Sequence, residues 1–564
     1  MKTNYFKNLY LGLFLFFATS TLFAENWPNW RGPKANGVAP NGNPPTEFSE
    51  NKNVQWKIKL PGSGSSTPVI WKNEVFILAA EKTGKKVAGT EVGTPTERGR
   101  NNSQRGQRSE GRGRNSDRPS RDGELRDRRG NNSQRGQRSE GRGGNSDRGT
   151  SENRGGFGGN SFNREEIMKR FDKNGDGELN DAERQAMRDE FRQQFSRNRG
   201  EERSSNERSR RGGRSGSGFS RGGFGGGRKP TEEYRYTLIS YDRESGKENW
   251  RTVATTAVPH EGHHRDHGYA SASPVTDGKN IIVSFGSRGL YCFDMKGKLK
   301  WKKDFGNMRT RNSFGEGSSP ALHGDTIVLL WDQEDDSYIY AIDKKTGAIK
   351  WKRERNEATG WCTPVVTTHK GVTQVLVNGT KAVRSYRLND GKLLWQCSGQ
   401  TGNTIPSIVV DKETAYAMSG FRGAHIAAIK LGGNGDLTGS ESVTWTADRG
   451  TPYVPSPLLS NDRIWYLSGN NGILSVRDAK SGKSLVEGER LTGISGVYAS
   501  PVSASGKVYI VGRNGSIAVL KDSAKFEVLA SNKLDEKFDC SPSIVGNQLF
   551  LRGKEHLYCI AKSN

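Results

Sequence analysis

The sequence has 564 residues, of which 31% are apolar and 72 are glycine, and its formal net charge at pH 7 is +25. This composition favours β-structure combined with unfolded segments. No stretch after the N-terminal region reaches the roughly 18 to 20 apolar residues that a membrane-spanning helix needs. The five cysteines are scattered and form no CxxC pair, which excludes the common zinc motifs. We expect the cysteines to be small buried residues, and a single disulfide among them is the alternative.

The N-terminus has the order of a secretory signal peptide. Lys2 and Lys7 precede an apolar run at residues 9–17, and small residues then lead to Ala24. We expect residues 1–24 to be removed, with cleavage after Ala24. The mature protein is then periplasmic or secreted and carries no transmembrane segment.

Eight prolines open short apolar strands and mark an internal repeat, and a small residue precedes each of them except Pro406, which follows Ile405. From the second one onward the prolines are 41 to 51 residues apart, which is the spacing of a four-stranded propeller blade. In most units a turn with Asp or Asn and Gly joins two later strands, as expected for a tight hairpin. The prolines are Pro68, Pro274, Pro320, Pro364, Pro406, Pro457, Pro501 and Pro542.

The last strand of a unit commonly carries a tryptophan, for which we expect packing between blades. The final unit begins at Pro542 and lacks this strand, whereas the segment NVQWKIKL with Trp56 supplies one near the N-terminus. The two chain ends therefore complete one blade, which removes free sheet edges. The sequence predicts an all-β fold, an eight-bladed β-propeller closed by N- and C-terminal strands. The repeated tryptophans are Trp250, Trp301, Trp351, Trp395 and Trp445.

The unit AIDKKTGAIKW at residues 341–351 and the opening WPNWRGP at residues 27–33 resemble the pyrroloquinoline-quinone-like (PQQ-like) propeller repeat proteins. The resemblance covers the mature chain apart from one insertion. The family includes quinoprotein alcohol dehydrogenases, an outer-membrane assembly lipoprotein and exported proteins of unknown role, and this sequence is most similar to the last group. The resemblance thus implies an alternative function, a PQQ-dependent alcohol dehydrogenase-like oxidoreductase with PQQ and calcium near the propeller axis.

Two features weigh against that alternative. Those dehydrogenases typically use adjacent cysteines against the quinone, and this sequence has no such pair. Their acidic calcium set is not matched residue by residue either. We therefore favour a monomeric binding or interaction scaffold over an enzyme and assign no catalytic residue, with PQQ kept as an open alternative cofactor.

An insertion at residues 84–232 separates the first part of the propeller, residues 25–83, from the remainder, residues 233–564. It is rich in Gly, Arg and Ser and contains a near-copy of its own sequence, so we expect disorder. Residues 97–229 hold 33 basic and 21 acidic side chains, a net +12 of the chain's +25. Because opposite charges alternate closely there, we expect a solvated linker or contact with an acidic cell-envelope polymer, and disfavour nucleic acid.

Within the insertion, residues 161–195 read as a helix-loop-helix EF-hand. The loop at residues 172–183 is DKNGDGELNDAE, with Gly177 at the sixth position, where the chain must bend sharply. Oxygen ligands at loop positions 1, 3, 5, 7 and 12 suit Ca²⁺, and a lone hand of this kind should bind weakly. The predicted ligands are Asp172, Asn174, Asp176, the backbone carbonyl of Glu178, and Glu183.

Half of the eight histidines lie in one segment, PHEGHHRDHGY, which precedes the second blade. Such segments and the insertion leave the same face of a propeller, because successive strands alternate in direction. Imidazoles interleaved with carboxylates suit transition-metal binding or proton transfer; a solvated, locally hydrogen-bonded loop is the alternative. The histidines of this candidate ligand site are His260, His263, His264 and His267, and its partner, a protein or an acidic polymer, stays open.

Overall fold

The computed structural model describes residues 26–86, 172–174 and 229–562. Apart from the short middle segment, these residues form eight sheets, arranged as the blades of a propeller. Each has four antiparallel strands, and two have a fifth strand that pairs in parallel. The predicted all-β, eight-bladed fold is therefore confirmed. In the parts of the chain that the structure describes, no helix is long and apolar enough to cross a membrane.

Each blade runs up and down from an innermost strand, and the innermost strands of neighbouring blades contact one another around the axis. In blades 1 to 4 the strands, from the axis outward, are Val69–Trp71, Glu74–Lys86, Glu232–Asp242 and Glu248–Ala257; Val275–Thr276, Ile281–Ser284, Leu290–Phe293 and Leu299–Lys303; Ala321–His323, Thr326–Trp331, Ser337–Asp343 and Ile349–Arg355; and Val365–His369, Val372–Val377, Ala382–Arg387 and Leu393–Ser398.

The order is the same in the second half of the ring. In blades 5 to 8 the strands are Val409–Val410, Thr414–Ser419, His425–Lys430 and Val443–Ala447; Leu458–Ser460, Arg463–Leu467, Ile473–Asp478 and Ser484–Arg490; Val502–Ala504, Lys507–Val511, Ser516–Lys521 and Val528–Lys533; and Ser543–Val545, Gln548–Arg552, His556–Ile560 and Val54–Lys59. Additional short strands, Val38–Ala39 and Gly435–Asp436, extend blades 7 and 4, and the 3-10 helices are Gly286–Arg288 and Arg311–Ser313.

The outermost strand of blade 8 comes from the N-terminus, as the sequence predicts, and places Trp56 opposite Cys559. The repeated tryptophans pack between blades. Trp301 Nε1 donates a hydrogen bond of 2.9 Å to the carbonyl of Lys344 in the next blade, and a Cβ at Gly347 would lie 2.8 Å from the Trp301 ring. The turn glycine is thus needed for contact as well as for its φ of +73°. The same contact joins Trp56 to Gly246, Trp250 to Gly297, Trp351 to Gly391 and Trp445 to Gly482.

A ring of hydroxyl groups surrounds the axis and explains why Ser or Thr accompanies the blade-opening prolines. The backbone N–H of Ser273, for example, donates to Oγ of Ser319 in the next blade at 2.9 Å. Seven such bonds of 2.8–3.2 Å link the eight blades in order. We call these residues the hydroxyl ring: Thr67, Ser273, Ser319, Thr363, Ser407, Ser456, Ser500 and Ser541.

The opening segment that carries the family resemblance crosses the axis. Trp27 pairs with Ile70 of blade 1, and Val38–Ala39 then runs parallel to the innermost strand of blade 7. Between these points, Arg31 is 1% exposed and donates to the backbone carbonyl of Ser456 in blade 6 at 3.3 Å. Burial lowers the pKa of Arg31 to about 9. The segment is therefore tied to blades 1, 6 and 7, and its Trp30 lines the axial cavity described below.

The insertion departs between the second and third strands of blade 1, after Lys86 and before Glu232. Residues 97–220 are separated from the propeller as a second unit, and of these the structure describes residues 172–174. The predictions of disorder and of two helices lie outside the described residues.

The hydroxyl ring predicts a specific effect at Ser319. Ser319→Ala should lower the free energy of unfolding by about 1–3 kcal/mol, because it leaves the buried N–H of Ser273 without its acceptor. Ser319→Thr should stay close to the parent, since Thr67 and Thr363 occupy equivalent positions. Equilibrium urea unfolding of the three proteins checks this, and equal loss in both variants would contradict it.

Candidate functional site

We call the face that carries the segments leading to the blade-opening prolines the rim face. A cavity of about 330 Å³ lies on the axis at this face, within the range of small-molecule sites. Its wall combines most of the hydroxyl ring with aromatic rings and four titratable side chains. The aromatic and titratable residues of this axial cavity are Trp30, Phe314, Trp361, Tyr453, Tyr498, His264, Asp266, His267 and Asp539.

The histidine-rich segment, residues 258–271, reaches across the rim face, and we call it the His strap. It joins blade 1 to blade 2, yet its Asp266 carboxylate pairs with Arg513 of blade 7 at 3.1 Å. Tyr498 donates its hydroxyl to the same carboxylate at 3.3 Å, and the Arg513 guanidinium lies 3.9 Å from the centre of the Tyr498 ring. Arg513 also pairs with Asp539 at 2.5 Å. The strap is thus fixed at its far end by a network of charges.

These ion pairs shift the pKa values of Asp266 and Arg513. Burial opposes ionisation of Asp266, but the Arg513 hydrogen bond and charge outweigh it and hold the pKa of Asp266 below its usual range. The two carboxylates in turn raise the pKa of Arg513 against the effect of its own burial. The Arg513 hydrogen bond and charge therefore favour the ionised form of Asp266, and Arg513 and Lys554 both pair with Asp539.

His267 lies at the base of the strap with both ring nitrogens engaged. Nε2 donates to the backbone carbonyl of Glu316 at 2.9 Å, and Nδ1 accepts from the Ser271 hydroxyl at 2.9 Å. Burial, with a smaller contribution from His263, lowers the pKa of His267 to about 4. His267 is accordingly a neutral ring that holds the strap against the next connection.

The remaining strap histidines do not converge on His267. His264 lines the axial cavity, its Nδ1 accepts from the Asp266 N–H at 3.3 Å, and burial lowers its pKa. His263 donates from Nδ1 to the His264 carbonyl at 2.7 Å and packs edge-on against Tyr269. The structure thus gathers the four predicted histidines in one strap but distributes them among different contacts.

His260 lies in a smaller pocket of about 50 Å³ between the connections before blades 2 and 3. It is joined there by the neighbouring Glu261 and by Glu316, and one ligand atom of each of the three lies within 4.8 Å of the others. Burial raises the pKa of Glu316 to about 7, although bonds from Ser287 lower it and the nearby Glu261 adds to the rise. Sequence reasoning did not join Glu316 to His260, because no local pattern shows that two blade connections face each other.

The structure describes only part of the predicted calcium-binding loop. Asp172 and Asn174 lie in the short described segment, whereas Asp176, Glu178 and Glu183 lie outside the described residues. The EF-hand therefore stays a prediction from the sequence.

The axial cavity does not fit PQQ. PQQ carries three carboxylates, which need cationic partners when buried, but no Lys or Arg is among the residues lining this cavity. The lining carboxylates Asp266 and Asp539 are both paired with Arg513. All five cysteines lie in the described part of the chain, where they are free and buried, and only Cys540 lines the cavity.

Residues 235–487 match a family model described as "Outer membrane protein assembly factor BamB". Similar solved structures include BamB from Moraxella catarrhalis (12% identity, 57% of this chain and 90% of that chain, TM-score 0.42). A computationally designed protein, Ika8, is similar at 13% identity (58% and 92%, TM-score 0.42). A quinohemoprotein alcohol dehydrogenase from Comamonas testosteroni is similar at 9% (60% and 74%, TM-score 0.43). No curated protein is significantly similar in sequence.

The neutral state of His267 predicts a pH effect on stability. Between pH 6.5 and 4 the unfolded chain binds a proton that the folded ring excludes, so the free energy of unfolding falls as the pH falls through this window. The loss is at most about 3 kcal/mol for a pKa difference of about 2.5. His267→Gln should flatten this part of the profile in urea unfolding experiments.

The exposed His323 provides the matched control for this experiment. His323→Gln should keep the pH dependence of the parent. If His267→Gln and His323→Gln have the same profile as the parent, His267 is not the responsible group.

Proposed function

We propose that this chain is a PQQ-like propeller repeat protein and acts as an exported, calcium-binding scaffold that engages its partner at the rim face. The axial cavity roofed by the His strap carries this proposal. A strap that spans from blade 2 to blade 7 and is fixed there by Arg513 forms a built, preorganised surface. Preorganisation lowers the entropic loss on binding, so the arrangement suits recognition.

The side chains of the cavity wall favour ligand binding over catalysis. Its hydroxyls accept hydrogen bonds between blades, its carboxylates are paired with Arg513, and His267 is hydrogen-bonded at both nitrogens. Aromatic rings such as Trp361 and Tyr453 provide flat contact area. These features support a recognition surface and give little support to the alternative dehydrogenase.

The charge of the chain supports a partner of opposite sign. The net +25 is divided between the insertion and the rest of the sequence, so both parts would be attracted to a negatively charged protein or envelope polymer. The signal-peptide pattern at residues 1–24 supports export to the periplasm or beyond. The insertion begins and ends at the rim-face end of blade 1, which supports calcium-dependent contact with the same partner.

A comparison of surface variants tests the binding face. The double variant Trp361→Ala, Tyr453→Ala should reduce capture of the partner from envelope extracts at least tenfold, because both rings line the axial cavity. Phe526→Ala is the matched aromatic control, since this exposed ring lies in a turn at the opposite face. Quantitative mass spectrometry after affinity capture, with calcium and with EGTA, provides the readout. Equal capture by all three proteins would exclude the rim face.

The EF-hand has its own test, which does not depend on the partner. Glu183→Gln removes the carboxylate predicted to bind Ca²⁺ through two oxygens, so Ca²⁺ affinity in isothermal titration calorimetry should fall at least tenfold. Glu190→Gln, outside the loop, should leave the affinity unchanged. Ca²⁺ binding by the parent is expected at a Kd of about 0.1–1 mM, and an unaltered titration for Glu183→Gln would refute this loop as the site.

A further inference from the structure

We propose that His260, Glu261 and Glu316 form a binding site for a divalent transition-metal ion in the pocket between the connections before blades 2 and 3. The three residues come from two different connections, since His260 and Glu261 belong to the His strap and Glu316 precedes blade 3. One ligand atom of each lies within 4.8 Å of the others. This inference is independent of the EF-hand and of the partner at the rim face.

The distance between His260 and Glu316 suits a shared ion. Nε2 of His260 lies 3.8 Å from Oε1 of Glu316, and two atoms that each bind one ion at about 2.1 Å cannot be more than about 4.2 Å apart. The backbone carbonyl of Met308, 2.6 Å from the same Nε2, offers a further oxygen. Without the ion, Nε2–H donates to this carbonyl and Nδ1 accepts from the Arg288 guanidinium at 3.5 Å. When the ion binds Nε2, the ring turns away from the carbonyl, the ring proton moves to Nδ1 and the Arg288 contact is given up.

Both carboxylates are held in place by hydrogen bonds outside the site. Glu316 accepts from the backbone N–H of Ser287 at 2.6 Å and from the Ser287 hydroxyl. Glu261 accepts from the backbone N–H of Thr310 at 3.1 Å and from the Thr310 hydroxyl. A carboxylate has about four lone-pair positions, so these bonds orient each group and leave positions for a metal. Such supporting bonds are characteristic of metal ligands.

An unpaired buried hydroxyl points to a further occupant of the pocket. Tyr236 is 1% exposed and lines this pocket, yet its Oη has no hydrogen-bond partner among the described residues. Leaving a buried hydroxyl unpaired is unfavourable. The pocket volume of about 50 Å³ has room for water. A water molecule bound to the metal ion would give Tyr236 its missing partner.

The charges and donor types define the class of ion. Two carboxylates outweigh the nearby Arg288, whose guanidinium donates to Asn307, to the Val258 carbonyl and, at 3.5 Å, to His260 Nδ1. The pocket therefore favours a cation. Imidazole with carboxylate oxygens suits Zn²⁺, Fe²⁺ or Ni²⁺, whereas Ca²⁺ takes oxygen ligands. We infer a transition metal and use Zn²⁺ as its probe.

Zn²⁺ titration of the full-length protein tests the site. Excess Ca²⁺ is kept present to occupy the EF-hand loop, and binding is followed at pH 7.5 by isothermal titration calorimetry. The parent should bind one equivalent that His260→Ala and Glu316→Gln lose, or bind at least tenfold more weakly. His263→Ala is the matched control, because His263 lies in the same strap but outside the three ligands, and should keep the parent titration.

Two results would overturn the proposal: no Zn²⁺ binding by the parent, or unchanged binding in both His260→Ala and Glu316→Gln. If a substitution disturbs folding, X-ray absorption spectroscopy of the Zn²⁺-loaded parent identifies the atoms that coordinate Zn²⁺ without the use of any variant. One imidazole with oxygen ligands at about 2.0–2.2 Å is the expected shell. A shell with sulfur or with several imidazoles would place Zn²⁺ elsewhere.

Discussion

The hydrogen bond from one blade's backbone N–H to the next blade's hydroxyl is the interaction on which the remaining architecture depends. The innermost strands are only two to five residues long, too short to align neighbouring blades by pairing alone. Seven such bonds connect the blades around the axis. Between blades 8 and 1, Oγ of Ser543 donates to the carbonyl of Pro68 at 2.6 Å. The ring thereby fixes where the rim-face connection into each blade ends.

Both ends of the axial channel are built on this ring. Below it, Arg31 donates to the carbonyl of the ring residue Ser456, so the N-terminal segment is tied to the ring itself. Above it, the His strap extends from the connection that ends at Ser273 and is held at the far side by Arg513. The strap and the N-terminal segment thus contribute to the wall of the axial cavity, and the strap also places His260 beside Glu316.

The sequence predicts the fold well because the repeat is local. The Ser/Thr-Pro pairs, the turn glycines and the outer tryptophans each recur in register, and the position of Trp56 shows that the chain ends share a blade. The candidate site is less predictable, because its contacts join distant connections. The pairing of Asp266 with Arg513 and the approach of Glu316 to His260 depend on how the connections fold over the rim. The interleaved carboxylate Glu261 was visible in the histidine segment, but its partner from the next connection was not.

The central claim is that the His strap is a fixed roof over the axial cavity and not a solvated loop. Residue-resolved amide hydrogen exchange tests this most directly, because the N–H groups of His264 and His267 are bonded to the carbonyls of Phe314 and His264 at 3.0 and 2.8 Å. These amides should be protected and should exchange on the timescale of the blade strands. Exchange at the rate of an unprotected loop would contradict the claim.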